Sequence, residues 1–233
     1  MGLLVPTRRR GREILDDPSV DPETRVQSIA DVTRSNRLFG GRRAAVNEVA
    51  AALDAAPGEM SVLDVGTGLA DIPASIRRRS QRRHTLVTTI GLDEAPDLLR
   101  QARGNVTYAV CGSATALPFR DASVDIILCS QLLHHFADGD LASVITELDR
   151  VARRRVIIAD LRRSWVAAAG FWLASFPLNF HPVTRHDGTV SVFRGFTGAE
   201  LRRVVVQAVG TTPAIRRRLG FRLTVSWQPK RAV

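Results

Sequence analysis

The stretch "SVLDVGTGLADIP", Ser61 to Pro73, runs from apolar residues through Asp64 to Gly66 and Gly68. Its pattern predicts a strand ending at Val65, a glycine turn, and a helix opening around Leu69 to Ile72. Such a turn aims backbone N–H groups and a helix N-terminus at a polar ligand. Glycine leaves room for that ligand to reach contact distance. Nicotinamide and flavin dinucleotides use the same kind of turn, so the G-x-G spacing alone leaves the ligand open. Three further places carry chemistry. Asp93 closes another apolar run, His134 and His135 follow a third, and His181, Arg185, His186 and Asp187 cluster later in the chain. Imidazoles titrate near neutral pH and suit proton abstraction. The His186–Asp187 pair could orient such a base, or Asp187–Gly188 could simply be a turn.

The elements that must position these groups can be read from periodicity. After Asp/Pro punctuation, residues 13–40 give a helical pattern with Val26, Ile29, Val32 and Thr33 on one side, closed by Gly40–Gly41. A second helix is expected from about Arg42 to Ala55, stopped by Pro57–Gly58. Short apolar runs then recur at 62–65, 86–92, 106–111, 124–129 and 156–159, with helical stretches between most of them. This alternation predicts a parallel sheet buried on both faces, with its ligand beyond the carboxyl ends of the strands. The chain ends differently. Thr197 opens a helix with a T-x-x-E capping box to Glu200, and "TPAIRRRLGFRLTVSW" reads as two strands joined at Leu219–Gly220.

Composition sets the frame. A chain of 233 residues suits one α/β domain with an appendage, and 45% apolar with 24% charged residues is ordinary for a globular protein. Cys111 and Cys129 both sit in runs that read as buried strands, so neither a disulfide framework nor a zinc cluster is expected, and no metal is assigned. The N-terminus lacks the length of apolar run and the cleavage site of a secretion signal, and a cytoplasmic location is expected. The formal charge of +10 could draw nucleic acid, anionic lipid or an acidic substrate. Its arginines lie in dispersed short clusters, however, so a solvated basic surface outweighs any single partner.

Three details discriminate among ligands. The turn reads Gly66-x-Gly68-x-Ala70, with Asp71 at the third dinucleotide glycine; Asp64 stands two residues before Gly66; and the sheet ends in a hairpin. At these residues the chain resembles the class I S-adenosylmethionine-dependent methyltransferases, with Ala70 in place of the third glycine of their first motif. "IGLDEAPDLL" (90–99) is similar to the family's second strand and its acidic end, and "CGSATALPFRDASVDIILCSQLLHHF" (111–136) to its next two motifs. The resemblance implies a Rossmann-like three-layer α/β/α sandwich. Its seven-stranded sheet is mostly parallel, with the last strand antiparallel in a C-terminal hairpin. It also implies that Asp64, Gly66, Thr67, Gly68 and Ser130 hold the cofactor, that Asp93 accepts both ribose hydroxyls, and that Leu92, Glu94, Ser113 and Ala114 surround the adenine. Serine at 113 replaces an aspartate common in the family.

"ALPF" and "LLHHF" bring the chain nearest to quinone-biosynthesis and natural-product methyltransferases. Base N-methyltransferases carry a proline-containing tetrad where this chain has Ser130-Gln131-Leu132-Leu133, so nucleic acid is not the expected acceptor. His135 is the better-placed base; His134 stands level between packing and catalysis, and His186 is kept as an acceptor contact. Residues 1–41 are expected to form a helical cap, and 42–233 the methyltransferase domain with an acceptor lid inserted at about 162–196. Within that insertion "SWVAAAGFWLASFPLNF" predicts a buried or interfacial helix with Trp165, Trp172 and Phe176 on one face. Trp172, Phe176, His181 and Arg185 are the expected acceptor contacts. The reaction expected is methyl transfer to oxygen, less readily carbon, of a small apolar aromatic or polyketide-like acceptor, by a monomer or homodimer. Arg162 and Arg163 offer a second reading of the helix, contact with an anionic membrane. An RNA-modifying protein and a nicotinamide-dependent oxidoreductase stay open as alternative functions.

Overall fold

The computed structural model describes residues 5–9, 11–17, 19–55 and 58–230. Seven strands form one sheet: β1 (Met60–Val65), β2 (Val87–Asp93), β3 (Tyr108–Cys111), β4 (Val124–Ser130), β5 (Ala152–Leu161), β6 (Ala214–Arg218) and β7 (Arg222–Trp227). Their order is β3-β2-β1-β4-β5-β7-β6, with parallel pairing out to β5 and β7 antiparallel to both β5 and β6. The strand order reverses between β1 and β4, and the carboxyl ends of both strands meet there.

The two faces follow from the period-two alternation of strand side chains. Leu63, Val65, Ile127, Cys129 and Ile158 share a core with α5 (Asp138–Val151) and α8 (Gly198–Val209). Val62, Ile126, Leu128, Ile157 and Ala159 share the other with α2 (Gly41–Asp54) and α3 (Asp71–Gln81). Every residue of β4 is buried, as a central parallel strand requires. The predicted capping box forms, with Thr197 Oγ1 accepting from the Glu200 amide, and Gly210 ends α8 in the left-handed conformation.

Several expectations are corrected. β5 starts at Ala152, four residues before the apolar run, because Arg153 and Arg154 pair with Asp125 on β4 and carry the strand outward. Cys111 is exposed, since β3, which packs against α4 (Pro96–Ala102), is a sheet edge. Asp187–Gly188 is no turn: both lie inside α7 (Pro182–Arg194), where a Cβ on Gly188 would stand 2.3 Å from the Phe171 ring. Of the two readings of the inserted apolar helix α6 (Trp165–Ser175), full burial is excluded: it buries Ala168 and Ser175 but leaves Trp165, Trp172 and Leu173, with Phe176 just beyond its end, exposed. The stop expected at Pro57 lies outside the described residues. Among the described residues no helix is long and apolar enough to cross a membrane.

Two helices, α6 and α7, separate β5 from α8, and α1 (Pro22–Leu38) packs against α7 from the amino-terminal side. Arg163 locks this arrangement rather than facing outward. Its fully buried guanidinium donates to the Pro6 carbonyl (2.7 Å), the Gly195 carbonyl (2.6 Å) and the Glu200 carboxylate (2.8 Å). One side chain therefore joins the N-terminal segment, the end of α7 and the start of α8. Removing a buried partner strands polar groups that water cannot reach. Arg163→Met is expected to lower unfolding free energy by about 3 kcal/mol in a urea titration; a loss below about 1 kcal/mol would contradict this role.

Candidate active site

The turn after β1 is held by the end of β2. The amides of Gly66 and Thr67 both donate to the Leu92 carbonyl (2.8 and 2.9 Å), and the Gly68 amide donates to Asp93 Oδ2 (2.8 Å). Asp93 Oδ1 accepts from the Ala95 amide at 3.0 Å. Gly66 and Gly68 take φ of +73° and +53°. A Cβ at Gly66 would meet Leu132 at 2.9 Å, so there the neighbour that excludes a side chain is protein. At Gly68 the nearest atom would be Ile29 Cγ2 at 3.7 Å, and the conformation, not crowding, calls for glycine. Ala70 also adopts the left-handed region (φ +56°), which explains why the related motif has glycine there.

A cavity of about 620 Å³ opens over these strand ends. Asp64, Gly66, Thr67, Gly68, Asp93 and Ser130 line one part of it. Ile29, Val32, Phe39, Leu132, Leu161, Val166 and Phe171 supply apolar wall, and Glu13, Asp16, His134 and His135 a polar corner. Nine buried side-chain polar atoms among the described residues lack a hydrogen-bond partner; six belong to cavity-lining Asn36, Asp64, Asp71, Ser130, His134 and Arg222. Buried polar atoms are rarely left so, and their concentration here marks where a ligand is needed.

Asp64 is the most perturbed of them. Its Oδ2 accepts from Thr67 Oγ1 (2.9 Å) while Oδ1 has no partner. Burial, reinforced by the charges of Asp71 and Asp93, pushes its pKa up to about 8. Burial also raises Asp93, with Glu94 and Asp97 adding to it against the amides of Ala95 and Gly68. Three acids facing one cavity favour a ligand that carries positive charge.

The two histidines separate. His134 is buried, its Nδ1 lies 2.7 Å from Asp160 Oδ1, and its Nε2 has no partner. Asp160 is itself buried and accepts from the Leu161 amide, so its carboxylate orients the ring. His135 Nδ1 lies 3.3 Å from Asp16 Oδ1 and 3.8 Å from Glu13 Oε2. Burial lowers its pKa, but Asp16 and Glu13 outweigh that and Arg194 and leave it raised. His135 therefore tends to keep its proton, whereas His134 turns an unpartnered Nε2 toward the cavity. Glu13, His134 and His135 have ligand atoms within 4.8 Å of one another, a grouping that could hold a metal ion. The Arg194 guanidinium, 3.1 Å from Glu13 and 2.7 Å from Asp16, already supplies a cation there.

The other expected site residues stand elsewhere. Glu94, Ser113 and Ala114 lie beyond the cavity lining, and Ser113 Oγ is 2.9 Å from Thr115 Oγ1. Trp172 and Phe176 pack edge to face on the exposed side of α6. His181 caps α7, accepting from the Val183 amide; Arg185 donates to Ser175 Oγ. His186 is bonded to Asp187, whose carboxylate accepts the Ile14 and Leu15 amides and so ties down the N-terminal segment. Sequence reasoning missed Glu13, Asp16, Arg194 and Asp160. The first three come from distant segments with no motif, whereas Asp160, closing the fifth apolar run as Asp93 closes the second, was readable.

A Rossmann-like sheet with an acid-rich cavity at its switch point defines a nucleotide-type ligand site. Residues 63–159 match the family described as Methyltransferase domain. Over 105 residues the chain is 36% identical to a demethylmenaquinone methyltransferase of Deinococcus radiodurans, covering 42% of this chain and 40% of that protein. The chain spans about two fifths to just over half of the curated relatives it matches. Its fold is similar to that of a SAM-dependent methyltransferase from Aquifex aeolicus (TM-score 0.59, 16% identity, 88% of this chain and 98% of that one). It is similar, too, to that of magnesium protoporphyrin IX methyltransferase from Synechocystis with bound SAM (TM-score 0.55, 16% identity, 92% and 100%). The matched segment holds the glycine turn, Asp93, Ser130 and both adjacent histidines of the cavity, and the fold around it is similar to that of S-adenosylmethionine-dependent methyltransferases.

Asp64 yields a pH test of the site's electrostatics. The folded chain holds this proton up to about pH 8, whereas the ordinary carboxyl releases it near 3.8. The native state thus binds more protons across that interval, and stability falls as pH rises through it. Asp64→Asn, which keeps an acceptor for Thr67, is expected to gain melting temperature over the parent progressively from about pH 5 to about pH 9. A difference independent of pH would contradict the raised pKa.

Proposed function

We propose that this protein transfers a methyl group from S-adenosylmethionine to the oxygen of a small hydrophobic, aromatic acceptor, with carbon the less favoured target. The observation that carries the reading is the oriented imidazole of His134, in the same cavity as the glycine turn. The cavity residues fit the cofactor. Asp93 has about four acceptor positions and spends two on backbone amides, leaving two for a pair of ribose hydroxyls. Asp64 has an unpartnered oxygen and a strained proton affinity that a cationic ligand relieves. The Ser130 hydroxyl lacks a partner in the same cavity. Thr67 keeps Asp64 oriented.

The cofactor supplies an electrophilic methyl group whose sulfur departs as a neutral thioether. The chain's residues must therefore align the acceptor, exclude water and remove one proton. His134 Nε2 takes the proton of the acceptor hydroxyl, and Asp160 stabilises the imidazolium that forms. His135, kept protonated by Asp16 and Glu13, sits 4.3 Å from the His134 ring, centroid to centroid, and favours a negative acceptor oxygen. The 162–196 insertion serves as the lid and residues 1–41 as the opposing cap. Their apolar residues Ile29, Val32, Val166 and Phe171 favour a ring over a polar acceptor.

Incubation with a radiolabelled methyl donor and a panel of phenols, quinols and RNA is expected to label a phenolic product. His134→Gln is expected to lower kcat by about a hundredfold with cofactor affinity unchanged. Asp160→Asn is expected to lower kcat and to move the acidic limb of the pH profile, which reports the proton-accepting imidazole, toward lower pH. Label in RNA alone, or full activity in His134→Gln, would contradict this reading.

A further inference from the structure

The outward face of α6 lines no part of the cavity. From Ser164 to Phe180 the chain holds no charged residue, and 161–186 no Asp or Glu. Trp165, Ala169, Trp172, Leu173 and Phe176 follow helical spacing and all are exposed, Leu173 to 62%. An apolar face of this extent normally meets another surface.

What surrounds it is basic. The Arg9 guanidinium lies 5.2 Å from the Trp165 ring centroid, Arg185 lies 3.9 Å over Phe176, and Arg34 lies 5.7 Å from Phe180. Arg34 also donates to the Leu178 carbonyl, which fixes it at the rim. Aromatic residues flanked by arginine suit the boundary between acyl chains and anionic headgroups. A second copy of the chain fits less well, because a two-fold contact would set one ring of arginines against another.

We propose that this face seats the protein on an anionic lipid bilayer, Trp165, Trp172, Leu173 and Phe176 entering the acyl boundary and Arg9, Arg34 and Arg185 meeting lipid phosphates. Arg162 and Arg163 take no part: Arg163 is buried, and Arg162 stacks on Phe221. The proposal deepens the acceptor reading, because Val166 both lines the cavity and is half exposed, so the wall that meets acceptor is continuous with the wall that meets lipid.

Vesicle co-sedimentation of the full chain needs no acceptor or cofactor, so its outcome is separate from that of methyl transfer. Binding to vesicles of equal parts phosphatidylcholine and phosphatidylglycerol is expected to be at least about tenfold tighter than to phosphatidylcholine alone, and to weaken as salt rises. Brominated acyl chains are expected to quench tryptophan emission. The double variant Ala169→Glu with Leu173→Glu is expected to lose at least about tenfold in vesicle affinity while its melting temperature stays close to that of the parent. Equal affinity for neutral and anionic vesicles, no quenching, or undiminished binding by a folded variant would overturn the proposal. So would a parent that runs as a dimer without lipid and a variant that runs as a monomer.

Discussion

The Leu92 carbonyl accepts two amides from the turn after β1, and Asp93 beside it accepts a third. This knot between the ends of β1 and β2 is the constraint on which the site depends. It bends the chain through positive φ at Gly66, Gly68 and Ala70. It also brings Asp71 and Asp93 close enough to Asp64 to add to the rise that burial gives its proton affinity. Carboxylates so gathered are costly in a dry interior. Their cost is intelligible where a ligand bearing positive charge and hydroxyl groups completes them.

The rest of the cavity is supplied from outside the sheet, and polar bonds hold it there. Asp187 captures the Ile14 and Leu15 amides, and Arg194 donates to the Gly11 carbonyl and to Asp16. The N-terminal strap, α7 and the segment after β4 thus meet at Glu13, Asp16, His135 and Arg194. His134 belongs to the other side of this junction. Asp160, at the end of β5, takes its Nδ1 and leaves the far nitrogen free. Two adjacent imidazoles are thus held by different carboxylates, one buried at a strand end and the other on the N-terminal segment.

Much of the architecture was legible because buried parallel strands write themselves as apolar runs and the C-terminal hairpin as a tight pair of strands around Leu219–Gly220. The glycine turn and the positions of Asp64 and Asp93 were legible for the same reason, since each lies at or just beyond the end of an apolar run. The start of β5 was hidden because its first turns of chain carry arginines paired across the sheet. Whether α6 would be buried or interfacial was left open by the sequence, because apolarity does not say which surface a helix will meet. The roles of Glu13, Asp16 and Arg194 depend on contacts between segments more than a hundred residues apart, which no local pattern records.

The claim most exposed to test is that the acids beyond β1 and β2 bind the adenosyl cofactor. Calorimetric titration of S-adenosylhomocysteine into the parent and into Asp93→Ala addresses it directly. Stoichiometric binding by the parent is expected, with a loss of more than about tenfold in the variant, from two hydrogen bonds to a charged group. Equal affinity in the two proteins, or no binding by a folded parent, would contradict it.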